Sequence, residues 1–167
     1  MGGVDKGLVE YHGRALIAHA IERIRPQVDN VIISANRNHD RYAAYGDGVV
    51  SDTVAGYAGP LAGLAAGIRA AQTNLVLCVA CDMPNLPPDL VRRLRAELGS
   101  QDAAVAASSD GLQPVVALYR ANVLPRLNAW LAAGNRKAAD WLATLDYAKV
   151  IFDADAFANL NSPEDLI

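Results

Sequence analysis

The chain has 167 residues, 52% hydrophobic and 20% charged, the balance of one ordinary globular domain rather than of a disordered or fibrous chain. A net charge of -3 with no Lys/Arg run excludes a nucleic-acid binder that works through bulk electrostatics. No apolar run reaches membrane-spanning length and no charged stretch precedes an apolar leader core, so a cytoplasmic protein with no membrane partner is expected.

The chain opens on Met1-Gly2-Gly3-Val4-Asp5-Lys6-Gly7-Leu8. Adjacent glycines, a lysine and a further glycine suit either a flexible start or a backbone that approaches phosphate oxygens while an ammonium group neutralises them. Arg14 to Pro26 carries Leu16, Ile17, Ala20, Ile21 and Ile24 at helical spacing, with the proline marking its end. Asn30 to Ser34 reads as a buried strand, Asn38 to Tyr45 as a short helix and Val49-Val50 as the next strand. Gly59-Pro60-Leu61 opens a helix to about Gln72, with proline suited to the first turn. Leu75 to Cys81 is a continuous apolar strand, and Pro87-Pro88-Asp89-Leu90 starts a helix that Gly99 stops. Ala103 to Ala107 and Val115 to Tyr119 read as strands around a turn at Ser108 to Pro114. Asn122 to Ala133 and Arg136 to Leu145 read as helices, and Val150-Ile151-Phe152 as extended. This alternation predicts an α/β sandwich with a mostly parallel sheet.

Cys78 and Cys81 form a C-x-x-C, but residues three apart on an extended strand point to opposite faces, so a disulfide or shared metal is disfavoured. His12, His19 and His39 fit no zinc spacing.

In a sheet of this kind, ligands sit beyond the carboxyl ends of the strands. Those ends carry Ser34-Ala35-Asn36-Arg37, Ser51-Asp52 and Asp82-Met83-Pro84, and Asn159 and Asn161 share one face of a late extended segment. Asp82 suits either a fixed oxygen ligand for a hard cation such as Mg²⁺ or a cap on the turn before the next helix. Asp52 has the same two readings, ligand contact or local backbone cap. Gly63 and Gly67 suit close packing of a helix on the sheet, whereas Gly59 lies where free N–H groups accept a nucleotide. No G-x-G-x-x-G occurs, which disfavours a nicotinamide-dependent oxidoreductase.

Taken in order, Met1-Gly2-Gly3-x-Asp5-Lys6-Gly7-Leu8, Ser34-Ala35-Asn36-Arg37, Asp52, Tyr57-Ala58-Gly59-Pro60-Leu61-Ala62-Gly63, Cys81-Asp82-Met83-Pro84, Gln113-Pro114 and Asn159-Leu160-Asn161-Ser162-Pro163-Glu164 resemble the molybdenum cofactor guanylyltransferases, within the wider nucleotidyltransferase family. The resemblance implies a three-layer Rossmann-like sandwich of the nucleotide-diphospho-sugar transferase type. It also implies transfer of GMP from GTP to molybdenum-bearing molybdopterin, with Mg²⁺ as cofactor and release of pyrophosphate. Lys6 and Asp82 would be catalytic. Gly2, Gly3, Lys6, Ser34, Asn36, Asp52, Gly59 and Asp82 would bind the nucleotide, Asp82 and Asn161 the metal, and Arg136 and Lys137 the pterin phosphate. Molybdoenzymes or their chaperones are the further partners expected.

Family members carry a leading strand ending in Leu-x-Gly-Gly, and Ser162-Pro163-Glu164-Asp165 opens a helix just before the last residue, Ile167. A single domain lacking the first strand and the end of the last helix is therefore expected. The alternatives are a cytidylyltransferase or sugar-phosphate nucleotidyltransferase, or a non-catalytic domain that binds the pterin or a partner protein.

Overall fold

The computed structural model describes residues 5–52 and 59–158. After a 3-10 turn at Lys6–Leu8 the chain forms a small hairpin, β1 (Glu10–Tyr11) and β2 (Arg14–Ala15), closed by His12 and Gly13 in the left-handed region at φ 48° and 75°. Helix α1 (Leu16–Ile24) follows directly and buries Leu16, Ile17, Ala20 and Ile24, the apolar stripe seen in the sequence. Arg14, expected at the start of that helix, lies in β2 instead, because the hairpin returns the chain antiparallel through Arg14 before it can coil.

Strand β3 (Ile32–Ser34) pairs in parallel with β4 (Gly48–Val50) across the short helix α2 (His39–Tyr42). Helix α3 (Gly59–Ala70) leads to β5 (Leu75–Cys78), and α4 (Leu90–Glu97) to β6 (Ala103–Ser108) and β7 (Gly111–Arg120). Helices α5 (Leu124–Ala132) and α6 (Ala138–Leu142) precede β8 (Tyr147–Ile151). The second of these helices is shorter than expected, leaving Arg136 and Lys137 ahead of it.

Strands β5, β7, β6 and β8 lie in that order in one sheet, whose two sides follow the period of 2 along each strand. Ala103 and Val105 of β6 with Ala117 and Tyr119 of β7 face α3, α5 and α6, against Leu61, Leu64, Leu127 and Trp141. Ala104 and Ala106 with Val116 and Leu118 face the opposite side, against Ile17 and Ile24 of α1 and Leu90 and Leu94 of α4. Two helical layers thus enclose the sheet, and β6 is buried along its whole length.

The sheet is mixed, a correction to the mostly parallel one expected. β7 runs antiparallel to both β5 and β6, and only β6 and β8 pair in parallel. The reason is local: Ser108 pairs with Gly111 across the two residues Ser109 and Asp110, and so short a connection joins only antiparallel strands. The turn is accordingly tighter than the span from Ser108 to Pro114, and Gln113-Pro114 belongs to β7. Pro114 is tolerated there because the β6–β7 register shifts between Val105 and Ala107, so no regular pairing requires its missing N–H.

Candidate active site

The 3-10 turn at Lys6–Leu8 brings the Lys6 ammonium to the end of the β5 segment, where Nζ donates to Asp82 Oδ2 at 2.7 Å. Asp82 is only 8% exposed, flanked by fully buried Met83 and half-buried Cys81. Its Oδ1 takes no hydrogen bond among the described residues. These two residues, both singled out in the sequence, are brought together.

A second pair joins the ends of β3 and β4. Asn36 Nδ2 donates to Asp52 Oδ2 at 2.8 Å, and the Asp52 backbone N–H returns a bond to Asn36 Oδ1 at 3.1 Å. The neighbouring Ser51 hydroxyl donates to the Ala35 carbonyl at 3.3 Å and lies 3.1 Å from His39 Nε2, so the two loops share several polar ties. Ser34, on the same strand end, lies against α3. A Cβ on Gly63 would stand 2.9 Å from its hydroxyl.

Gly59 starts α3 at φ +69°, a left-handed value that glycine adopts without strain, and the Arg136 carbonyl lies beside it, 3.7 Å from where a Cβ would stand. The nucleotide candidate Gly59 and the pterin candidate Arg136 are therefore neighbours. The Arg136 guanidinium is held by its own chain, Nη1 donating to the carbonyls of Leu131 at 2.8 Å and Asn135 at 2.7 Å. Lys137 is exposed at the start of α6. Gly2, Gly3 and Asn161 lie outside the described residues, as does the helix start expected at Ser162.

Four residues hold the Lys6 loop, of which Asp5 and Arg37 stand in the sequence motifs without an assigned role and Asn38 and Tyr42 stand outside them. Asp5 accepts from the Tyr42 hydroxyl through Oδ1, from Asn38 Nδ2 at 2.8 Å through Oδ2, and faces Arg37 Nε at 3.4 Å. Burial alone would push its carboxyl up, but these donors and the Arg37 charge outweigh it and hold the group below the usual carboxylate value. Tyr42 is shifted upward, by burial first, then by its hydrogen bond to Asp5 and by the charge of that carboxylate. The usable sequence signal was Gly7: a Cβ there would stand 2.6 Å from the Tyr42 hydroxyl, so that glycine marks a close approach by a side chain.

The donor chemistry suits a magnesium ion. No trio of His, Cys, Asp or Glu side chains gathers among the described residues. Mg²⁺ needs no protein cage, taking one or two carboxylates with waters and substrate phosphates. Asp82 is one such carboxylate, with the Lys6 ammonium beside it.

Residues 1–150 match the model of the MobA-like NTP transferase domain. The chain is 47% identical over 168 residues to a molybdenum cofactor guanylyltransferase of Shewanella sp. (strain MR-4), covering 98% of this chain and 85% of that protein. Among solved structures, it is similar to the molybdopterin-guanine dinucleotide biosynthesis protein A of Archaeoglobus fulgidus. The TM-score is 0.78 at 23% identity, over 98% of this chain and 88% of that one. A Mycobacterium tuberculosis protein solved in complex with manganese has a TM-score of 0.73 at 17% identity, over 98% and 90% of the two chains. At these identities the two structures speak for the fold alone.

Proposed function

The chain belongs to the MobA-like NTP transferase family, and from that membership we propose that it transfers the guanylyl group of GTP to molybdenum-bearing molybdopterin, forming the guanine dinucleotide cofactor. The reading rests on one observation above all: Lys6 and Asp82 meet at 2.7 Å beyond the end of β5, a cation and a hard-metal carboxylate at one point on the edge where such sheets bind ligands.

The reaction is a single displacement. An oxygen of the pterin's terminal phosphate forms a bond to the α-phosphorus of GTP, and the bond from that phosphorus to the α,β-bridging oxygen breaks. The electron pair leaves with pyrophosphate. No covalent enzyme intermediate is needed, so the protein's contribution is positioning and charge. Lys6 offsets the charge gathering on the phosphates. Asp52 and Asn36, fixed against each other, hold the nucleoside side, with Ser34 and Gly59 on the flanking elements. Arg136 and Lys137 meet the pterin phosphate. Asp82 would hold Mg²⁺, with Asn161 as a second support, and the bound ion would supply Lewis-acid stabilisation of phosphoryl charge.

No helix among the described residues is long and apolar enough to cross a membrane, and the cytoplasm, where GTP is made, is the compartment we assign. The test is direct: purified protein, molybdenum-bearing molybdopterin, Mg²⁺ and GTP should yield the guanine dinucleotide and pyrophosphate. A thermal-shift panel of GTP, CTP and ATP with Mg²⁺ should show stabilisation by GTP. Stabilisation by CTP alone would overturn the guanine assignment.

A further inference from the structure

We propose that Asp5 and Tyr42 are positioning residues for Lys6, locking the phosphate-side loop onto the segment after β3 so that the two halves of the site are held as one body. The proposal rests on the nucleotidyltransferase reading above.

The residues form a continuous chain of contacts. Asp52 bonds Asn36, the next two residues Arg37 and Asn38 both reach Asp5, and Asp5 directly precedes Lys6, whose ammonium reaches Asp82. Tyr42, four residues beyond Asn38, adds the third donor to the same carboxylate.

A local role for Asp5 is the competing explanation. It stands immediately before the 3-10 turn Lys6–Leu8, where an aspartate commonly caps the turn with its side chain. Asp5 makes no such capping bond, and its carboxylate instead turns to residues 32 and more positions away in sequence.

Tyr42 supports the same assignment. Its ring is 5% exposed and belongs to the core beside Ile17, Ile33 and Met83. A phenylalanine would fill that place equally well, so packing does not account for the hydroxyl. Gly7 completes the fit: its missing side chain lets the loop lie on the ring, with a Cβ position only 3.2 Å from Cε1 and 2.6 Å from the hydroxyl. Asn38 presents its amide from a left-handed φ of 55°, a conformation asparagine tolerates better than most residues.

Tyr42→Phe keeps the ring and removes the donor, so it is the central variant. Amide hydrogen exchange across residues 5–9 should quicken about tenfold while helix α4 is unaffected, and kcat should fall about tenfold with KM for GTP nearly unchanged, since a misplaced Lys6 costs most in the transition state. Asp5→Asn, which keeps an acceptor for Tyr42, should retain more activity than Asp5→Ala. The double variant Asp5→Ala with Tyr42→Phe should be no slower than Asp5→Ala alone. Unchanged exchange at residues 5–9, unchanged kcat in Tyr42→Phe, or losses that multiply in the double variant would each overturn the proposal. The exchange measurement needs no substrate. A wild-type protein inactive toward GTP would therefore overturn the function proposed above, while exchange alone decided the lock.

Discussion

Lys6 and Asp82 lie 76 residues apart in the chain and touch at 2.7 Å, their side chains 36% and 12% exposed. The ammonium end meets solvent while the carboxylate is buried, so removing Lys6 leaves Asp82 a buried charge without that partner. Lys6→Ala should lower guanylyl transfer by about 10²- to 10³-fold and lower the thermal midpoint while the protein still folds. Turnover assays paired with thermal melts check this, and wild-type-like turnover would remove Lys6 from the chemistry.

Chelation reads the other partner of that pair. Exhaustive treatment with EDTA should abolish transfer and added Mg²⁺ should restore it in wild type, whereas Asp82→Asn should stay about 10²-fold slow at saturating Mg²⁺. Full recovery of Asp82→Asn at high Mg²⁺ would mean that the carboxylate is not needed for turnover.

Two glycines that pack close to β3 should respond differently to a methyl group. At Gly46 a Cβ would stand 2.9 Å from Ile33 Cδ1 and 3.0 Å from the Val31 carbonyl, part of a backbone that cannot rotate away. Gly46→Ala should cost about 1–3 kcal/mol, read as a lower urea midpoint. At Gly63 the near atoms both belong to Ser34, the hydroxyl at 2.9 Å, which can swing to another rotamer, and Cβ at 3.3 Å, where a small shift suffices. Gly63→Ala should therefore leave the urea midpoint nearly unchanged and raise KM for GTP.

Much of this was legible in the sequence, and what was missed has a common cause. Apolar runs marked β3, β5 and β6, and the stripe from Leu16 to Ile24 marked α1, because burial imposes a period that neighbouring residues display. The glycine-rich opening led to Lys6 and the strand-end rule to Asp82, Asn36 and Asp52; the structure joins Lys6 with Asp82 and Asn36 with Asp52. The reversed direction of β7 was hidden by Pro114, which argues against a strand wherever the pairing is regular. The link between Asp5 and Tyr42 joins residues 37 apart, and a pairing between two single side chains leaves no periodic trace.

Acid should unfold the protein partly through two carboxylates. Asp5, by the balance described above, sits below the ordinary value of 3.8, and so does Asp47, which accepts from the Val31 backbone N–H and from Arg25. A carboxyl lowered in the folded state adds stability that is complete above its unfolded pKa and is lost as pH falls through the folded one. Melting temperatures measured from about pH 6 down to pH 2.5 should therefore drop below about pH 4, and Asp5→Asn and Asp47→Asn should each flatten that limb. An acid limb identical in wild type and both variants would contradict the assignment.

The two cysteines should stay reduced and slow to react. Cys78 packs with the cluster beneath α3, α5 and α6, Cys81 with the one beneath α1 and α4, and burial first pushes both thiols up to about 11. At pH 7.5 about one thiol in three thousand would be ionised. Native protein should alkylate far more slowly than urea-unfolded protein, and intact-mass measurement after diamide should show no loss of two hydrogens.

The hairpin between β6 and β7 gives the binding edge an unusual composition. β5, β6 and β8 all run toward that edge while β7 runs away from it, so its contribution there is its beginning, Gly111 to Pro114, together with the Ser109-Asp110 tip. The loops after β5 and β8 must carry the chain onward through a helix or out of the sheet, and their lengths are tied to the helical layers. The hairpin tip bears no such obligation. It is the place where residues can be inserted above the site without moving a strand or a helix, and hence the natural point at which to graft new contacts for a different acceptor.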